Sequence, residues 1–265
     1  MWNKIIHIGG WSGGVALLFV LLGASVSSSN RSQLVDVEVH IDFGEGNYFI
    51  DQEEVEEVVS DLGYIEDSTL MVDIVPSRIE HVLENNPFIK YAEVYENLNG
   101  ILSVEVNVRQ PILRIFNTNG RSIYLDDQGR FMPLSRKYSS RTPIANGFIN
   151  SDFTKYIGAS IFELPDSLNT PDVLVMADLF KIVQTCRKDK FWKAQFNQFY
   201  VNEESEIEII PRVGDHIILV GNANDIDKKL NKLQKFYEKG LNKTGWNEYK
   251  TINLKYASQV VCTKS

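Results

Sequence analysis

The sequence predicts an α+β fold in which an apolar N-terminal helix precedes two sheet-containing modules. Three observations lead to this prediction. A span without charges lies before residue 31, residues 33–110 have the order strand, helix, helix, strand, strand, and residues 111–265 form short strands interrupted by two helices. Strands and helices that do not alternate as βαβ units favour α+β over a parallel α/β sheet.

The first module opens with an extended run at residues 34–43 and continues with two amphipathic helices. Asp51 is a typical N-cap for the first helix, and Gly63 is a typical residue at its end. Pro76 is predicted to open the second helix, which stops at Asn86-Pro87 because a residue before proline disfavours the α region. The residues predicted to face the core are Val55, Val58, Val59 and Leu62 in the first helix, and Ile79, Val82 and Leu83 in the second.

Two runs of alternating apolar and polar residues, 89–97 and 101–109, end the first module. They are joined across Asn99-Gly100, and Asn-Gly between alternating runs is a strong hairpin signal because both residues tolerate positive φ. Three strands with two helices on one face enclose a single small core.

Gln110-Pro111 marks the junction with the second module. Strands are predicted at residues 112–117 and 121–126, followed by a turn at residues 126–129, whereas residues 131–165 are expected to be irregular. Pro171 opens a helix that reaches about Lys188. The residues of this helix that are predicted to face the core are Val173, Ala177, Phe180 and Val183.

Residues 195–202, 206–212 and 216–221 are predicted to form a three-stranded meander. Asn222 or Asn224 is the expected cap of the next helix, whose predicted buried residues are Ile226, Leu230, Leu233, Tyr237 and Leu241.

The end of the chain is predicted to be one extended strand over residues 249–256 and 259–262, without proline or an obvious bulge. Because no partner strand follows, we expect this strand to lie at a sheet edge, where unpaired backbone groups are available to another chain. The alternative is that neighbouring segments bury this strand or that the terminal residues cap it.

Residues 5–30 contain no Lys, Arg, Asp or Glu. About twenty such residues can span a hydrocarbon core of about 30 Å. A cleaved signal peptide is the competing interpretation, because residues 23–25 are small enough for signal peptidase. We favour an uncleaved transmembrane anchor at residues 11–30 after a short cytoplasmic tip at residues 1–10, and both interpretations place residue 32 onward outside the cytoplasm.

The net charge of −8 is distributed unevenly. Residues 32–77 carry 13 acidic residues and no Lys or Arg, whereas residues 225–265 carry 9 Lys and 4 acidic residues. The basic end lacks the interleaved aromatic residues of a nucleic-acid surface, so nucleic acid is not an expected partner. The acidic residues at positions 32–77, the acidic front of the chain, could be repelled by anionic lipid headgroups or could attract a basic segment of a partner. A role in solubility alone would also explain them.

Catalytic and metal-binding patterns are missing from the sequence. The four histidines are at positions 7, 40, 81 and 216, in different predicted elements, and no metalloprotease, Cys-x-x-Cys, nucleophile-elbow or phosphate-loop motif occurs. The glutamates at positions 53, 54, 56 and 57 fit a solvated helix face better than a cation site. Cys186 and Cys262 are expected to be free thiols. We therefore expect no catalytic residue, no cofactor, no metal and no small-molecule substrate.

The order strand, helix, helix, strand, strand is that of a POTRA module, and the whole arrangement resembles the bacterial cell-division family FtsQ/DivIB. The resemblance is carried by residues 86–90 with the hairpin after them, by Arg109-Gln110-Pro111, by residues 124–131 and by residues 251–256. In the last of these, Asn253 and Lys255 stand where the family usually has Asp and Arg.

The resemblance implies a non-enzymatic, single-pass scaffold of the division septum, with its N-terminus cytoplasmic and its bulk outside the cytoplasmic (inner) membrane. It implies FtsB and FtsL, two small single-span proteins, as partners, and a link to septal peptidoglycan synthesis. The alternatives are a POTRA-bearing envelope assembly or export factor that binds unfolded chains and, more distantly, a cell-wall enzyme.

The resemblance also implies β-strand addition at the C-terminal edge strand. The candidate contact residues are Lys255, Tyr256, Ser258 and Val260, with Tyr256 as the aromatic anchor. On a continuous strand, Gln259 and Val261 would point to the other face.

Overall fold

The computed structural model describes residues 32–97, 99–164 and 171–264, which divide into two compact units. Unit 1 comprises the described residues up to Gly44 together with Ile50–Val108, and unit 2 comprises Glu45–Phe49 together with the described residues from Arg109 onward. Among the described residues, no helix combines the length and apolar character needed to cross a membrane. The anchor predicted at residues 11–30 lies outside the described residues.

Unit 1 is a three-stranded sheet with two helices in the predicted order β-α-α-β-β. Its elements are β1 (Asp36–Asp42), α1 (Gln52–Asp61), a 3₁₀ turn (Met71–Asp73), α2 (Pro76–Glu84), β2 (Ile89–Glu96) and β3 (Ile101–Val108). The strand order is β1-β3-β2, with β1 parallel and β2 antiparallel to β3. A parallel neighbour requires a crossover connection, which the two helices provide.

The sequence signals at the ends of these elements are confirmed. The Asp51 Oδ1 accepts the Glu54 N–H at 3.1 Å and the Glu54 Oε2 accepts the Asp51 N–H at 3.1 Å, which is a capping box. In the hairpin, Asn99 and Gly100 have φ of 72° and 80°, the positive values that a type I′ turn requires. A Cβ on Gly100 would lie 2.2 Å from the Gln33 carbonyl oxygen, so glycine is required there.

One predicted core position in unit 1 is wrong. Ile79 and Leu83 are buried as predicted, but Val82 is 37% exposed. Residues four apart lie on the same side of a helix, and in this nine-residue helix Ile79 and Leu83 alone define the buried stripe. In α1, Val55 and Val59 are buried, whereas Val58 and Leu62 are half-buried.

Unit 2 is built on one nine-stranded sheet with the order β12-β11-β10-β9-β8-β7-β4-β5-β6. The strands are β4 (Pro111–Phe116), β5 (Ser122–Asp126), β6 (Phe131–Met132), β7 (Ile144–Gly147), β8 (Phe196–Val201), β9 (Ile207–Pro211), β10 (Ile217–Gly221), β11 (Tyr249–Asn253) and β12 (Val261–Lys264). The helical segments are a 3₁₀ turn (Phe153–Tyr156), α3 (Pro171–Arg187), α4 (Lys190–Gln195), α5 (Ile226–Phe236), a π-helical turn (Tyr237–Leu241) and α6 (Asn242–Thr244).

One interior strand of this sheet, β7, lies in a region that was predicted to be irregular. β7 has only four residues, yet it pairs in parallel with β4 on one side and with β8 on the other. Its sequence ends in Asn146-Gly147, which is typical of a turn, so a local pattern does not predict a strand. The partner strands, distant in the sequence, determine its conformation.

The faces of the two long helices agree only in part with prediction. The predicted buried set of α5 (Ile226, Leu230, Leu233, Tyr237 and Leu241) is confirmed. Its N-cap is Asp225 rather than Asn222 or Asn224, with φ of 52° and no side-chain capping bond.

In α3, Val183 of the predicted stripe is buried, and Val173 and Phe180 are partly buried against the core of unit 2. Ala177 is half-buried as well. The buried apolar residues are Val175, Met176, Leu179, Ile182, Val183 and Cys186. Apolar residues surround much of this helix, so periodicity alone does not select the buried side.

Candidate partner-binding edge

Three of the four strands at the ends of the two sheets carry protection. In β2, the outward N–H groups of Ala92 and Val94 donate to the carboxylates of Glu84 at 3.3 Å and Glu80 at 2.9 Å. Both glutamates lie on α2, so side-chain oxygens occupy backbone donors that an incoming strand would need. Exposed acidic residues at alternate positions of β1 protect that strand in another way: Asp36, Glu38 and Asp42.

At one end of the unit 2 sheet, β6 is covered by the chain itself. The Phe131 N–H donates to the Ala159 carbonyl at 3.0 Å, and the Phe131 carbonyl accepts the Gly158 N–H at 2.8 Å. The opposite end of the same sheet is β12, beside which no further strand is found among the described residues.

The single terminal strand that the sequence predicted is wrong. The chain leaves the sheet after Asn253, reverses over residues 254–260, and returns as β12, antiparallel to β11. The register pairs Thr251 with Thr263 and Asn253 with Val261. The row of backbone groups on β11 that was expected to be open is therefore occupied from within, and the available row lies on β12.

The register also shows which groups of β12 face outward. The Leu254 N–H, just after β11, donates to the Leu219 carbonyl of β10 at 2.9 Å, so Ile252, two residues earlier, is also directed toward β10. Thr251 and Asn253 are then directed toward β12, where they pair with Thr263 and Val261. Because successive residues of a strand direct their backbone groups to opposite sides, Cys262 and Lys264 present theirs outward.

The four predicted contact residues lie in the connection between β11 and β12 rather than on a strand. The Lys255 Nζ forms an ion pair with Glu206 at 2.7 Å, and the Lys255 N–H donates to the Asn253 Oδ1 at 2.9 Å. Tyr256 is 50% exposed, while its carbonyl accepts a hydrogen bond from Lys232. The backbone is thus held on both sides of a side chain that projects into solvent.

The other two predicted residues differ from each other. Ser258 is exposed, and Val260 is half-buried against the core of unit 2. The prediction that Gln259 and Val261 share a strand face opposite to these residues is wrong, because β12 begins only at Val261.

Sequence reasoning missed the residues that hold this segment in place. Glu206 is 49 residues from Lys255 in the sequence, and Lys232 donates to the carbonyls of Leu254 (3.3 Å) and Tyr256. These contacts between distant residues leave no local pattern. One local signal was available: the polar Ser258 interrupts the row of apolar residues at even-numbered positions, and the chain turns within this segment.

The edge carries binding groups rather than reactive ones. Burial raises the pKa of the half-buried Cys262 thiol, which keeps it protonated. Within the part of the chain that the structure describes, no three His, Cys, Asp or Glu residues are placed to hold a metal ion. What the segment offers is backbone donors and acceptors, one exposed aromatic ring and nearby ammonium groups.

Comparison with known families gives two matches that together cover both units. A family model described as FtsQ/DivIB, C-terminal related, matches residues 110–263, more than half of the 265-residue chain. The chain belongs to the FtsQ/DivIB family. A POTRA-like domain model matches residues 34–107 of this family member. No curated protein matches the chain.

Family membership confirms the recognition made from the sequence and assigns the chain to a class of division-related scaffolds that is not enzymatic. The FtsQ/DivIB match runs from β4 to Thr263, so it covers the edge described above except for Lys264.

Proposed function

We propose that this FtsQ/DivIB protein is a single-pass scaffold that recruits division proteins by strand addition along the outer side of β12. The observation that carries the proposal is the contrast between sheet ends: glutamates occupy β2 and the chain covers β6, while β12 presents the backbone groups of Cys262 and Lys264 outward. An exposed row of this kind is a template for pairing with another strand.

The connection before β12 would contribute the side-chain contacts. Tyr256 is the proposed anchor, because large aromatic residues held by a well-packed backbone dominate binding energies. Lys255, Ser258 and Val260 flank it as secondary contacts. Lys232 and Lys264 place positive charge beside the edge, whereas the charge of Lys255 is compensated by Glu206. This charge favours a partner strand with acidic flanks and speeds its encounter.

By family resemblance, the proposed partners are the extracytoplasmic segments of FtsB and FtsL, and their capture would link the scaffold to septal peptidoglycan synthesis. The proposal includes the anchor at residues 11–30, with unit 1 and unit 2 outside the inner membrane at the septum. A partner with its own single span would then meet β12 on the same side of the bilayer.

The test is co-purification of the full chain with FtsB and FtsL, using variants of the outward-facing row. Cys262→Pro removes one outward N–H and leaves the bonds of Val261 and Thr263 to β11 in place. We expect at least a tenfold loss of affinity, because the proline ring also obstructs the incoming strand. Cys262→Ala is the matched control, since it keeps the N–H and should bind as the wild type does.

Tyr256→Ala tests the side-chain anchor and should weaken binding by about thirtyfold, the effect of losing a hot-spot residue worth about 2 kcal/mol. Tyr91→Ala is its control, because Tyr91 is equally exposed at 49% but lies on β2 of unit 1. If a folded Cys262→Pro variant captured the partners with unchanged affinity, strand addition at β12 would be refuted. Equal effects of the two tyrosine substitutions would refute Tyr256 as the anchor.

A further inference from the structure

Unit 2 contains a cavity of about 350 Å³ that the partner-binding edge does not use. All of its lining residues belong to unit 2, and they come from the segment at Glu45, from β4, from the chain before β7, from α3 and α4, and from β8 and the end of β9. This volume is within the range of sites for small organic ligands.

The charge of the lining is strongly unbalanced. Four of the lining side chains are cationic and one is acidic; the cations are Arg141, Arg187, Lys193 and Arg212, and the acid is Glu45. Cys186 also lines the cavity, but burial raises the pKa of its thiol to about 12, so it adds no negative charge. Among the described residues that line the cavity, cationic side chains therefore outnumber acidic ones by four to one.

Two hydrogen-bonding atoms of the lining residues are buried without a partner among the described residues: the Nη1 of Arg187 and the Oγ1 of Thr142. A buried guanidinium nitrogen without an acceptor is uncommon in folded proteins and calls for a ligand or an ordered water. Arg212 is already oriented: with the Asn197 amide oxygen facing it, that oxygen accepts from the Arg212 Nη2 at 2.8 Å and Nε at 3.1 Å.

Glu45 shows what kind of group these cations hold. Its Oε1 lies 2.9 Å from the Arg187 Nη2 and 2.9 Å from the Lys193 Nζ, and its Oε2 lies 3.0 Å from the same Nζ. The hydrogen bond from Lys193 and the charge of Arg187 lower the pKa of Glu45. The carboxylate is nevertheless half-exposed, with 54% of the side chain in contact with solvent, so it occupies the mouth rather than the interior.

We propose that this cavity binds a small organic anion. Its carboxylate or phosphate group would be held by Arg187 and Lys193 beside or in place of Glu45, and its apolar body would pack on Trp192 and Phe196. Arginine and lysine donors bind such anions through charge-assisted hydrogen bonds, and the aromatic walls select a ligand with apolar surface. This site is separate from β12, and its test does not depend on strand addition.

The experiment is isothermal titration calorimetry of the purified full chain with phenyl phosphate, benzoate, inorganic phosphate and benzyl alcohol as probes. We expect both aromatic anions to bind, with inorganic phosphate at least tenfold weaker and benzyl alcohol, which has no charge, weaker still. Arg187→Met should weaken phenyl phosphate binding at least tenfold. Glu45→Gln should strengthen it severalfold, because the competing carboxylate is removed.

Arg136→Met is the control, since Arg136 is exposed, belongs to unit 2 and does not line the cavity. Arg212→Met serves as a second test if Arg187→Met does not fold. Failure of both aromatic anions to bind would overturn the proposal, as would equal binding by wild type and the folded arginine variant. Benzyl alcohol or inorganic phosphate binding as tightly as phenyl phosphate would overturn the assignment to an organic anion.

Discussion

Replacing Asp126 by asparagine should destabilise unit 2, because the Asp126 carboxylate is fully buried and forms an ion pair with Arg109. The Oδ2 of Asp126 lies 2.9 Å from the Arg109 Nη1, and its Oδ1 accepts the N–H groups of Gln128 at 2.9 Å and Arg130 at 2.7 Å. One carboxylate thus joins the junction at residue 109 to the turn after β5. Both are motifs that the sequence singled out.

The magnitude follows from these contacts. Asp126→Asn keeps an oxygen for the two backbone donors, but it removes the charge and places an amide NH2 group against the Arg109 guanidinium. This should cost about 2–3 kcal/mol of unfolding free energy. Arg109→Met leaves the buried carboxylate without its cation and should cost about 3 kcal/mol. The double variant contains neither charge, so its loss should be smaller than the sum, with a coupling energy of about 1.5–3 kcal/mol.

Urea unfolding of the four proteins measures this coupling, with Trp192 and Trp246 of unit 2 as fluorescent probes. Arg121 and Asp152 provide a matched pair, because their ion pair is short but the Arg121 side chain is 63% exposed. Arg121→Met and Asp152→Asn should show much weaker coupling, since water and salt screen that pair. A coupling below about 0.5 kcal/mol for Arg109 and Asp126 would mean that the two sites are independent, and the reasoning from buried charge would be refuted.

Two further predictions concern the interior of unit 2. Burial lowers the pKa of His216, so as pH falls below about 6.5 the unfolded chain binds a proton at this residue that the folded protein does not bind. The free energy of unfolding should therefore decrease between that pH and the lower pKa of the folded state. His216→Gln should flatten this part of the stability-versus-pH curve, as measured by urea unfolding. In Gly147→Ala, the new Cβ would lie 2.2 Å from the Val201 carbonyl oxygen at a φ of 105°, so thermal unfolding should show that the free energy of unfolding falls by about 2–4 kcal/mol. Gly120→Ala is the control, because its φ is 77° but the space around the Cβ is open, and its free energy of unfolding should fall by only about 1 kcal/mol. Equal losses in the two variants would contradict the clash argument.

The edge strands β2 and β12 differ in how their unpaired backbone N–H and C=O groups are covered. In β2, two glutamates one helical turn apart on α2 reach the N–H groups of Ala92 and Val94. No such carboxylate is seen at β12 within the described residues, and its protection is limited to its four-residue length and Lys264. The edge at which we propose partner binding is therefore a short strand with few charges.

Local chemistry in the sequence determined the elements and their order. The capping box at Asp51, the type I′ hairpin at Asn99-Gly100 and the stripe of α5 each depend on residues a few positions apart, and each is confirmed. The acidic front and the lack of catalytic motifs are likewise properties of composition and spacing. Family membership was also recognisable, because its motifs are short and occur in order.

Only the tertiary structure decided which surfaces are covered. β7 is a strand because β4 and β8 flank it, and the residues that α3 buries most deeply coincide with the predicted stripe only at Val183. The terminal segment shows the same dependence. Whether β11 ends the sheet depends on where the chain returns, and that return is stabilised by Glu206 and Lys232, which are distant in the sequence. Pairing energies between distant residues are invisible in a linear pattern, so an edge can be predicted from the sequence but its position cannot.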